Sequence, residues 1–284
     1  MKRLLILFSA CLMLTGCLKI LPASQKPGVT RESIVDANYI TAITARFPFL
    51  IVNSATSAGD RSATAFFLHG GEIARCEEGT FGGESFCHGI WNGISFTVHE
   101  DGTVSAASPT DEFAGDPPAV PLTDSEGRYY GDNAFLLYPL LDENADIQIA
   151  VEHNGKDVTV FAGLDSGEYC RYTVDRDTLH IRDYYESWSD STSEVVMADE
   201  AYVTPTKAGA ALTEAGRMRT LTYHTYLSGQ EKDYVFEVPG NWEFSLEVYG
   251  DIRFFDDRGQ TGEVENLIPA DGKNHEIWVS DAKG

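Results

Sequence analysis

The chain has 284 residues and carries 44 acidic against 21 basic side chains, so its formal net charge at pH 7 is −23. Such a charge excludes binding to nucleic acid through the phosphate backbone, and it opposes attraction to anionic lipid headgroups. Hydrophobic residues make up 43% of the chain and aromatic residues 11%, which is enough for a buried core and rules out a disordered acidic tail.

The N-terminus has the layout of a secretion signal. Lys2 and Arg3 precede an uncharged apolar run over residues 4–14, which is too short to cross a bilayer as a helix but has the length of a signal-peptide core. The run leads into the sequence LTGC at residues 14–17. The basic start, the apolar run and this cysteine together resemble the lipobox of bacterial lipoproteins.

The resemblance implies removal of residues 1–16 and attachment of lipid to Cys17, which would anchor the chain in a membrane of the cell envelope. Residue 18 is not the aspartate that retains Gram-negative lipoproteins at the inner membrane. We therefore expect an outer-membrane anchor, with the protein facing the periplasm or the cell surface. Residues 17–30 contain two prolines and no periodic pattern, and they predict a tether. An ordinary signal peptide with an incidental cysteine stays an alternative.

Residues 31–105 are predicted to form a first β-rich domain that begins with a helix. Between Ser33 and Arg46 apolar residues recur at helical spacing, and Pro48 follows. Further on, Cys76 and Cys87 flank a segment rich in glycine and other turn residues. In an oxidising compartment this arrangement predicts a hairpin closed by a disulfide.

Other pairings of the cysteines stay open. Cys170 lies in a strand-like run and is most simply a buried thiol, although it could pair with Cys76 or Cys87. A zinc site formed by Cys76, Cys87 and His88 is a further alternative, but the chain lacks the Cys-x-x-Cys spacing that is typical of structural zinc.

Alternation of apolar and polar residues with period two recurs along the body. It predicts a mainly β fold, an antiparallel sandwich or barrel with two short helices and α+β character only at the margins. The alternating runs are Ile94–Val98, Ile147–Val151, Val158–Val160, Leu179–Ile181, Tyr234–Val238, Trp242–Val248 and Ile277–Val279. The turn residues Pro239-Gly240-Asn241 separate the run at Tyr234 from the run at Trp242. Asn154-Gly155 lies between two of these runs and predicts a hairpin turn.

A stretch rich in proline and acidic residues, 106–127, predicts a linker or a long loop. It divides the first domain from a second β-rich domain, residues 128–284, which we expect to be subdivided near residue 218. The second helix is predicted between Thr204, as its N-cap, and Arg217.

The search for catalytic and metal-binding motifs gives negative results. The chain contains no Gly-x-Ser-x-Gly elbow, no His-Glu-x-x-His pair and no phosphate-binding loop. Residues 142–146 place oxygens as a calcium loop would, but Ile147 stands where glycine is required and His153 where glutamate is required. We therefore predict no catalytic residue, no metal and no cofactor.

Tyr184, Tyr185 and Trp188 form the most suggestive stretch, because three rings lie beside acidic and hydroxyl side chains. Aromatic rings stack on sugars and anchor protein partners, so these residues are a candidate ligand or partner face. The alternative is an ordinary strand, in which every second side chain faces the core, followed by a polar loop.

Three functions compete at this stage. The first is a lipid-anchored envelope protein that acts by binding or scaffolding, with the membrane reached through Cys17 and an envelope protein or glycan as partner. The second is an anchored hydrolase of cell-wall glycan or polysaccharide that works with two carboxylates. The third is a β-barrel carrier of a small apolar ligand, which would need an apolar cavity.

Overall fold

The computed structural model describes residues 28–109, 134–142, 144–151, 155–198, 207–248, 251–255 and 263–281. The predicted signal peptide, Cys17 and most of the tether lie outside these residues. Most of the predicted linker, the Asn154 turn and the Thr204 cap lie outside them as well. None of the described helices is both long and apolar enough to cross a membrane.

The fold is mainly β, which confirms the predicted fold class. The described helices are α1 (Arg31–Asn38), α2 (Ile40–Thr44), α3 (Ala134–Leu141) and α4 (Lys207–Thr213). The first strands are β1 (Phe49–Thr56), β2 (Arg61–His69), β3 (Glu72–Phe81), β4 (Glu84–Trp91), β5 (Ile94–Val98) and β6 (Val104–Pro109). The next are β7 (Asp146–Val151), β8 (Asp157–Gly163), β9 (Tyr169–Asp175), β10 (Ile181–Glu186) and β11 (Ser191–Ala198). The last are β12 (Met218–Leu227), β13 (Gln230–Pro239), β14 (Glu243–Glu247), β15 (Ile252–Phe255), β16 (Glu263–Val264) and β17 (His275–Asp281).

Twelve strands form one large sheet in the order β14-β6-β5-β4-β3-β2-β1-β11-β10-β9-β8-β7. Its centre is β1, which pairs antiparallel with β2 on one side and β11 on the other. Strands from both predicted domains therefore lie in the same sheet, and the proposed domain boundaries stay a prediction. The order ends in β14 and β7, so the described strands form an open sheet and not a closed barrel.

The other five strands form a small sheet in the order β13-β12-β17-β15-β16. Its long hairpin, β12 and β13, pairs from Met218↔Pro239 to Leu227↔Gln230. Strand β17 adds to β12 in parallel.

One face of the large sheet packs against α1, α2 and α3. Leu50, Phe66 and Tyr172 from the strands are buried there with Ile34 and Leu137 from the helices. Burial of these apolar side chains holds the helices on the sheet, since each large side chain contributes about 1.5–3 kcal/mol.

The predicted helix Ser33–Arg46 is two helices in the structure, because Tyr39 between them has an extended backbone with ψ of 129°. The buried side chain of Asn38 explains the break. Its Nδ2 donates to the carbonyl of Leu179 at 2.7 Å, and its Oδ1 accepts the N–H of Ile181 at 2.8 Å. The end of α1 is thus bound to the start of β10. Leu179 itself has a φ of +63° and lies before the strand, and not in it as the alternation predicted.

The opposite face of the large sheet divides into two halves. Over one half the small sheet and α4 cover apolar residues, and the rings of Phe96 and Trp242 pack with centroids 4.6 Å apart. Ala208 and Leu212 of α4 are fully buried in this second core. The other half of the face is uncovered by described elements, and the candidate site lies there.

Candidate functional site

Strand pairing brings polar residues from distant parts of the chain into two rows on the exposed half of the large sheet. Directly opposed residues of paired strands point to the same face, so each row can be followed from strand to strand. The first row reads Asp183, Glu194, Asn53, Ala63, Glu78 and Cys87. The second reads Phe161, Arg171, Tyr185, Thr192, Ala55, Arg61, Thr80 and Ser85.

The parts of the two rows that β11, β1, β2, β3 and β4 contribute form the floor of an open cleft of about 1120 Å³. Helix α4 forms one wall through Lys207, Ala210 and Ala211, and Glu214 just after its end continues this wall. The turn after β5, with His99 and Glu100, contributes a further part of the lining. We call this space the sheet cleft. Its volume exceeds the range of about 300–1,000 Å³ that holds most small ligands, and its openness to solvent suits a macromolecular segment better.

The sheet cleft is acidic. Four glutamates line it against two cationic side chains, Arg61 and Lys207; the glutamates are Glu78, Glu100, Glu194 and Glu214. One of them is fixed in place, because Oε2 of Glu78 accepts the backbone N–H of Lys207 at 2.7 Å. This bond ties β3 to the first residue of α4 and holds the floor against the wall.

The two glutamates of the cleft floor, Glu194 and Glu78, are too far apart for glycoside hydrolysis. Glu194 and Glu78 are separated by Asn53 and Ala63 in one row, hence by three strand spacings. At about 4.8 Å each, these spacings place their Cα atoms about 14 Å apart. The two carboxylates of a glycosidase lie about 5–10 Å apart. Among the described residues no group of three or more His, Cys, Asp or Glu could hold a metal ion.

Cys76 and Cys87 lie on neighbouring strands of the predicted hairpin, but they are not opposite each other. Cys76 pairs with Gly89, and Cys87 with Glu78, so the two cysteines are diagonal neighbours about 7–8 Å apart. A disulfide needs a Cα separation of about 4.4–6.8 Å. The structure holds both as free thiols and does not show the predicted bridge, which would require movement of the strands.

Burial makes the described thiols poor nucleophiles. It raises the pKa of Cys76 to about 12, with the nearby Cys87 adding to the effect. The pKa of Cys87 at the cleft is also raised, by burial and by Glu78. Cys170 is 1% exposed with a pKa raised by burial to about 12, which agrees with its prediction as a buried thiol. For the bridge, non-reducing peptide mapping of the envelope-derived protein is the test.

The predicted face of Tyr184, Tyr185 and Trp188 is divided by the strand. Tyr184 is only 2% exposed and packs against Tyr172 in the first core, so it belongs to the interior and not to a binding face. Tyr185 points to the opposite face, because neighbouring residues of a strand alternate. It lies in the second of the two rows on the exposed half of the large sheet. Trp188, 40% exposed, follows in the turn before β11.

Tyr185 continues an aromatic row towards the edge of the sheet. Its ring centroid lies 5.9 Å from that of Tyr169, which stacks on Phe161 at 4.9 Å. The hydroxyl of Tyr185 donates to Oδ1 of Asp190 at 2.9 Å. This bond raises the pKa of Tyr185, while hydrogen bonds from Ser57 and Tyr185 lower the pKa of Asp190.

Three hairpin turns meet at the end of the sheet cleft. The N–H of Ser57 donates to the carbonyl of Asp190 at 3.1 Å, and the N–H of Gly82 donates to Oδ1 of Asp60 at 3.1 Å. The two outer turns carry exposed rings, Trp188 at 40% and Phe81 at 78%. Neither ring is among the residues that line the sheet cleft.

No protein-family model matches the chain, and no curated protein matches it. Several solved structures resemble part of it, and two of them contain MucB. One, "The complex structure of Pseudomonas aeruginosa MucA/MucB", has 11% identity and a TM-score of 0.34, and the match covers 58% of this chain and 55% of that chain. The other, "Crystal structure of MucB", has 9% identity and a TM-score of 0.32, covering 64% of this chain and 66% of that chain.

This chain thus matches little more than half the length of the first of these proteins. TM-scores below 0.5 show a distant similarity to MucB and do not assign a family.

The residues of the sheet cleft were not predicted as a site. Asn53 and Glu194 lie on β1 and β11, neither of which was among the predicted alternating runs. Pairing of strands so far apart in sequence has no local signal.

Proposed function

We propose that this protein is a lipid-anchored cell-envelope protein that binds a basic, extended segment of another envelope protein in the sheet cleft. The observation that carries the proposal is the cleft itself, an open space of about 1120 Å³ lined by four carboxylates and two cations. The signal features of residues 1–17 support the location at the envelope. The anchor through Cys17 holds the cleft near other envelope proteins.

Charge selects the class of partner. The net charge of −23 repels anionic segments and attracts cationic ones, and complementary charge raises the association rate and the specificity of a complex. Glu194 and Glu214 lie on different parts of the lining, the floor and the helix wall, so a segment in the cleft meets carboxylates on two sides.

Shape selects an extended segment. From β11 to β4 the floor crosses five strands, a distance of about 19 Å. An extended chain covers this distance with about six residues.

The two alternatives fit the described residues less well. Glu78 and Glu194 are too far apart to act as the carboxylate pair of a hydrolase. The open order of the large sheet and the four glutamates of the cleft oppose a closed barrel that carries an apolar ligand.

A peptide titration tests the cleft. The probe is a fluorescein-labelled peptide of about six alternating Lys and Ser residues, matched to the length of the floor, and a Glu–Ser peptide is the negative probe. We expect fluorescence anisotropy to show binding of the Lys–Ser peptide alone, weakening as salt is raised. Glu194→Lys should weaken binding at least about tenfold.

The control separates the cleft from general charge attraction. Glu72→Lys makes the same charge change at an exposed glutamate where β3 begins, outside the cleft lining. It should leave the affinity within about twofold. Equal weakening by both variants would show that only overall charge attracts the peptide and would refute the cleft.

The anchor has its own test. Cys17→Ser should move the protein from the membrane fraction to the soluble fraction of the cell. Unchanged partition into the membrane would refute lipidation at Cys17, and it would leave the peptide titration unaffected.

A further inference from the structure

The outer face of the small sheet carries a second array of side chains, separate from the sheet cleft. Strand pairing places Asp233, His224, Trp278 and Phe255 in one row across β13, β12, β17 and β15. Tyr226 and its direct partners, Glu231 and Ser280, lie in the next row. These residues line a shallow cleft of about 380 Å³. We call the array the Trp278 platform.

The central ring of the platform is held in a defined position. Nδ1 of His224 lies 2.8 Å from Oδ1 of Asp233, which fixes the imidazole. The imidazole stacks on the indole of Trp278 with centroids 4.8 Å apart and planes at 29°. Three neighbouring strands therefore position one indole. The imidazole covers one face of the indole, and a ligand that stacks on the other face loses little side-chain entropy of the protein.

Polar groups around the rings are available to a ligand. Four of them make no hydrogen bond with any residue that the structure describes: the indole N–H of Trp278, the hydroxyls of Tyr226 and Ser280, and the carboxylate of Glu231. They supply donors and acceptors beside apolar ring faces. The solvent face of an antiparallel sheet is ordinarily polar, so a partly exposed Trp278 and a Tyr226 that is 43% exposed stand out.

We propose that the Trp278 platform binds a neutral sugar ring of an envelope glycan. The apolar C–H face of a pyranose packs on an aromatic ring, while its hydroxyls bond to carboxylates and hydroxyls at the edge. The cleft of about 380 Å³ has the size of a small-ligand site. Glu231 and Asp233 beside the indole disfavour an acidic sugar.

The arrangement of the rings on one flat face favours a sugar over an organic cation as the ligand. Rings that recognise quaternary ammonium groups form a cage and surround the charge on several sides. Here Trp278, Tyr226 and Phe255 all lie on one face of one sheet, so they provide a platform rather than a cage. The platform binds independently of the sheet cleft, because the two sites share no residue.

The experiment uses the anchored protein in a detergent without a sugar headgroup. The chain has four tryptophans, so the indole N–H region of a nitrogen-15 NMR spectrum is simple, and Trp278→Phe assigns the signal of Trp278. The probes are the tetrasaccharides of N-acetylglucosamine and of glucose in β-1,4 linkage, with tetramethylammonium as the cation. The sugars are titrated up to a concentration of about 10 mM, a range that detects weak binding. We expect one or both of them to shift the Trp278 signal.

Variants decide whether the platform is the site. Trp278→Ala should abolish the binding measured by affinity electrophoresis on the sugar that binds, and Glu231→Gln, at an exposed position, should weaken it several-fold without a risk to folding. Trp188→Ala removes an exposed indole from the large sheet and should have no effect.

Three results would overturn the proposal: no shift of Trp278 with either sugar, a shift with tetramethylammonium only, or a loss of binding that follows Trp188. A preference between the two sugars identifies the source, because the N-acetylglucosamine polymer shares its linkage and its acetamido group with cell-wall glycan, whereas the glucose polymer stands for neutral polysaccharide.

Discussion

Arg219 is the most informative position for a test of the fold. Its side chain is 2% exposed at the start of β12, yet it carries a full charge. Its Nη2 donates to the carbonyl of Trp242 at 2.7 Å, and its Nη1 donates to the carbonyl of Pro269 at 2.7 Å and to Oδ1 of Asp271 at 3.1 Å. The perturbation is Arg219→Met, which keeps the aliphatic stem and removes all three bonds.

The expected loss of stability follows from the groups that Arg219→Met leaves without a hydrogen-bond donor. Hydrogen bonds to charged groups contribute about 1.5–3 kcal/mol each, but water can replace the guanidinium at partly exposed Asp271. The carbonyl of Trp242 is left buried without its donor. Removal of one partner of a buried charged network costs about 3–5 kcal/mol, and in a chain of this size that lowers Tm by on the order of 10 °C.

The assay is thermal and urea unfolding followed by circular dichroism, for wild type, Arg219→Met, Asp271→Asn and the double variant. The double variant should lose less than the sum of the single losses, with a coupling of about 0.5–3 kcal/mol. Arg253→Met is the control, because Arg253 is an exposed arginine whose Nε lies 3.2 Å from Glu263, and such pairs contribute about 0–1 kcal/mol.

The reasoning would be refuted if Arg219→Met and Arg253→Met lost equal stability, or if the losses at Arg219 and Asp271 were additive. Acid provides a second check. Burial raises the pKa of Asp271, but hydrogen bonds from the N–H of Lys273 and from His275 outweigh it and lower the pKa to about 2. The folded pKa lies below the unfolded one, so this stabilisation is present above about pH 4 and is lost as the pH falls towards 2.

Three further predictions concern the interior of the large sheet. Burial raises the pKa of Glu186, so its ionised form is unfavourable in the fold; Glu186→Gln should raise stability at pH 7 and bring no gain below about pH 4, as pH-dependent urea unfolding will measure. Gly89→Ala should destabilise the chain by at least about 1–3 kcal/mol in the same assay, because a Cβ there would lie 2.3 Å from Cζ of Phe96 and 2.9 Å from the carbonyl oxygen of Arg75. Cys170 should be alkylated at pH 8 only when the chain unfolds, as mass spectrometry along a urea series will show.

Each of these predictions has a contrary result. If Glu186→Gln raised the stability by the same amount at every pH, the cause would be altered packing and not the removed charge. Unchanged stability of Gly89→Ala would mean that the strands separate there without cost. Alkylation of Cys170 in the native baseline would show local opening of β9, where its backbone pairs with Ala162 and Glu186.

The strands that could be predicted from the sequence are those whose signal is local. Ile94–Val98 alternates cleanly, and β5 has the same bounds. The runs at Tyr234–Val238 and Trp242–Val248 correspond to β13 and β14, which are separated at the intervening turn residues. In each case one face is buried and the other is exposed, so period two is visible without knowledge of the partner strand.

Features that depend on tertiary contacts could not be predicted. Helix α3 was not predicted. Its residues are almost uniformly apolar and Pro139 lies inside it, so neither hydrophobic periodicity nor helix propensity indicates a helix there. Its Leu137 and Leu140 are fully buried. Residues 106–109 were assigned to the linker, but they extend β6 because β14 pairs with them.

The candidate sites show the same division. Tyr184 and Tyr185 were grouped because they are adjacent in sequence, whereas a strand sends adjacent side chains to opposite faces. Conversely, His224 and Trp278 are far apart in sequence and stack because β12 and β17 pair in parallel. Sequence spacing within a strand can be read directly, but pairing between distant strands cannot.

The parallel pairing of β6 with β14 also sets the order of folding. Phe244 lies beside Ala106, so this edge of the large sheet is completed by residues that leave the ribosome long after β6. Until they arrive, β6 presents an unpaired edge of backbone N–H and C=O groups, which other chains can recruit. If the chain is exported as we propose, this edge of the sheet therefore remains open to aggregation until nearly all of the chain has crossed the membrane.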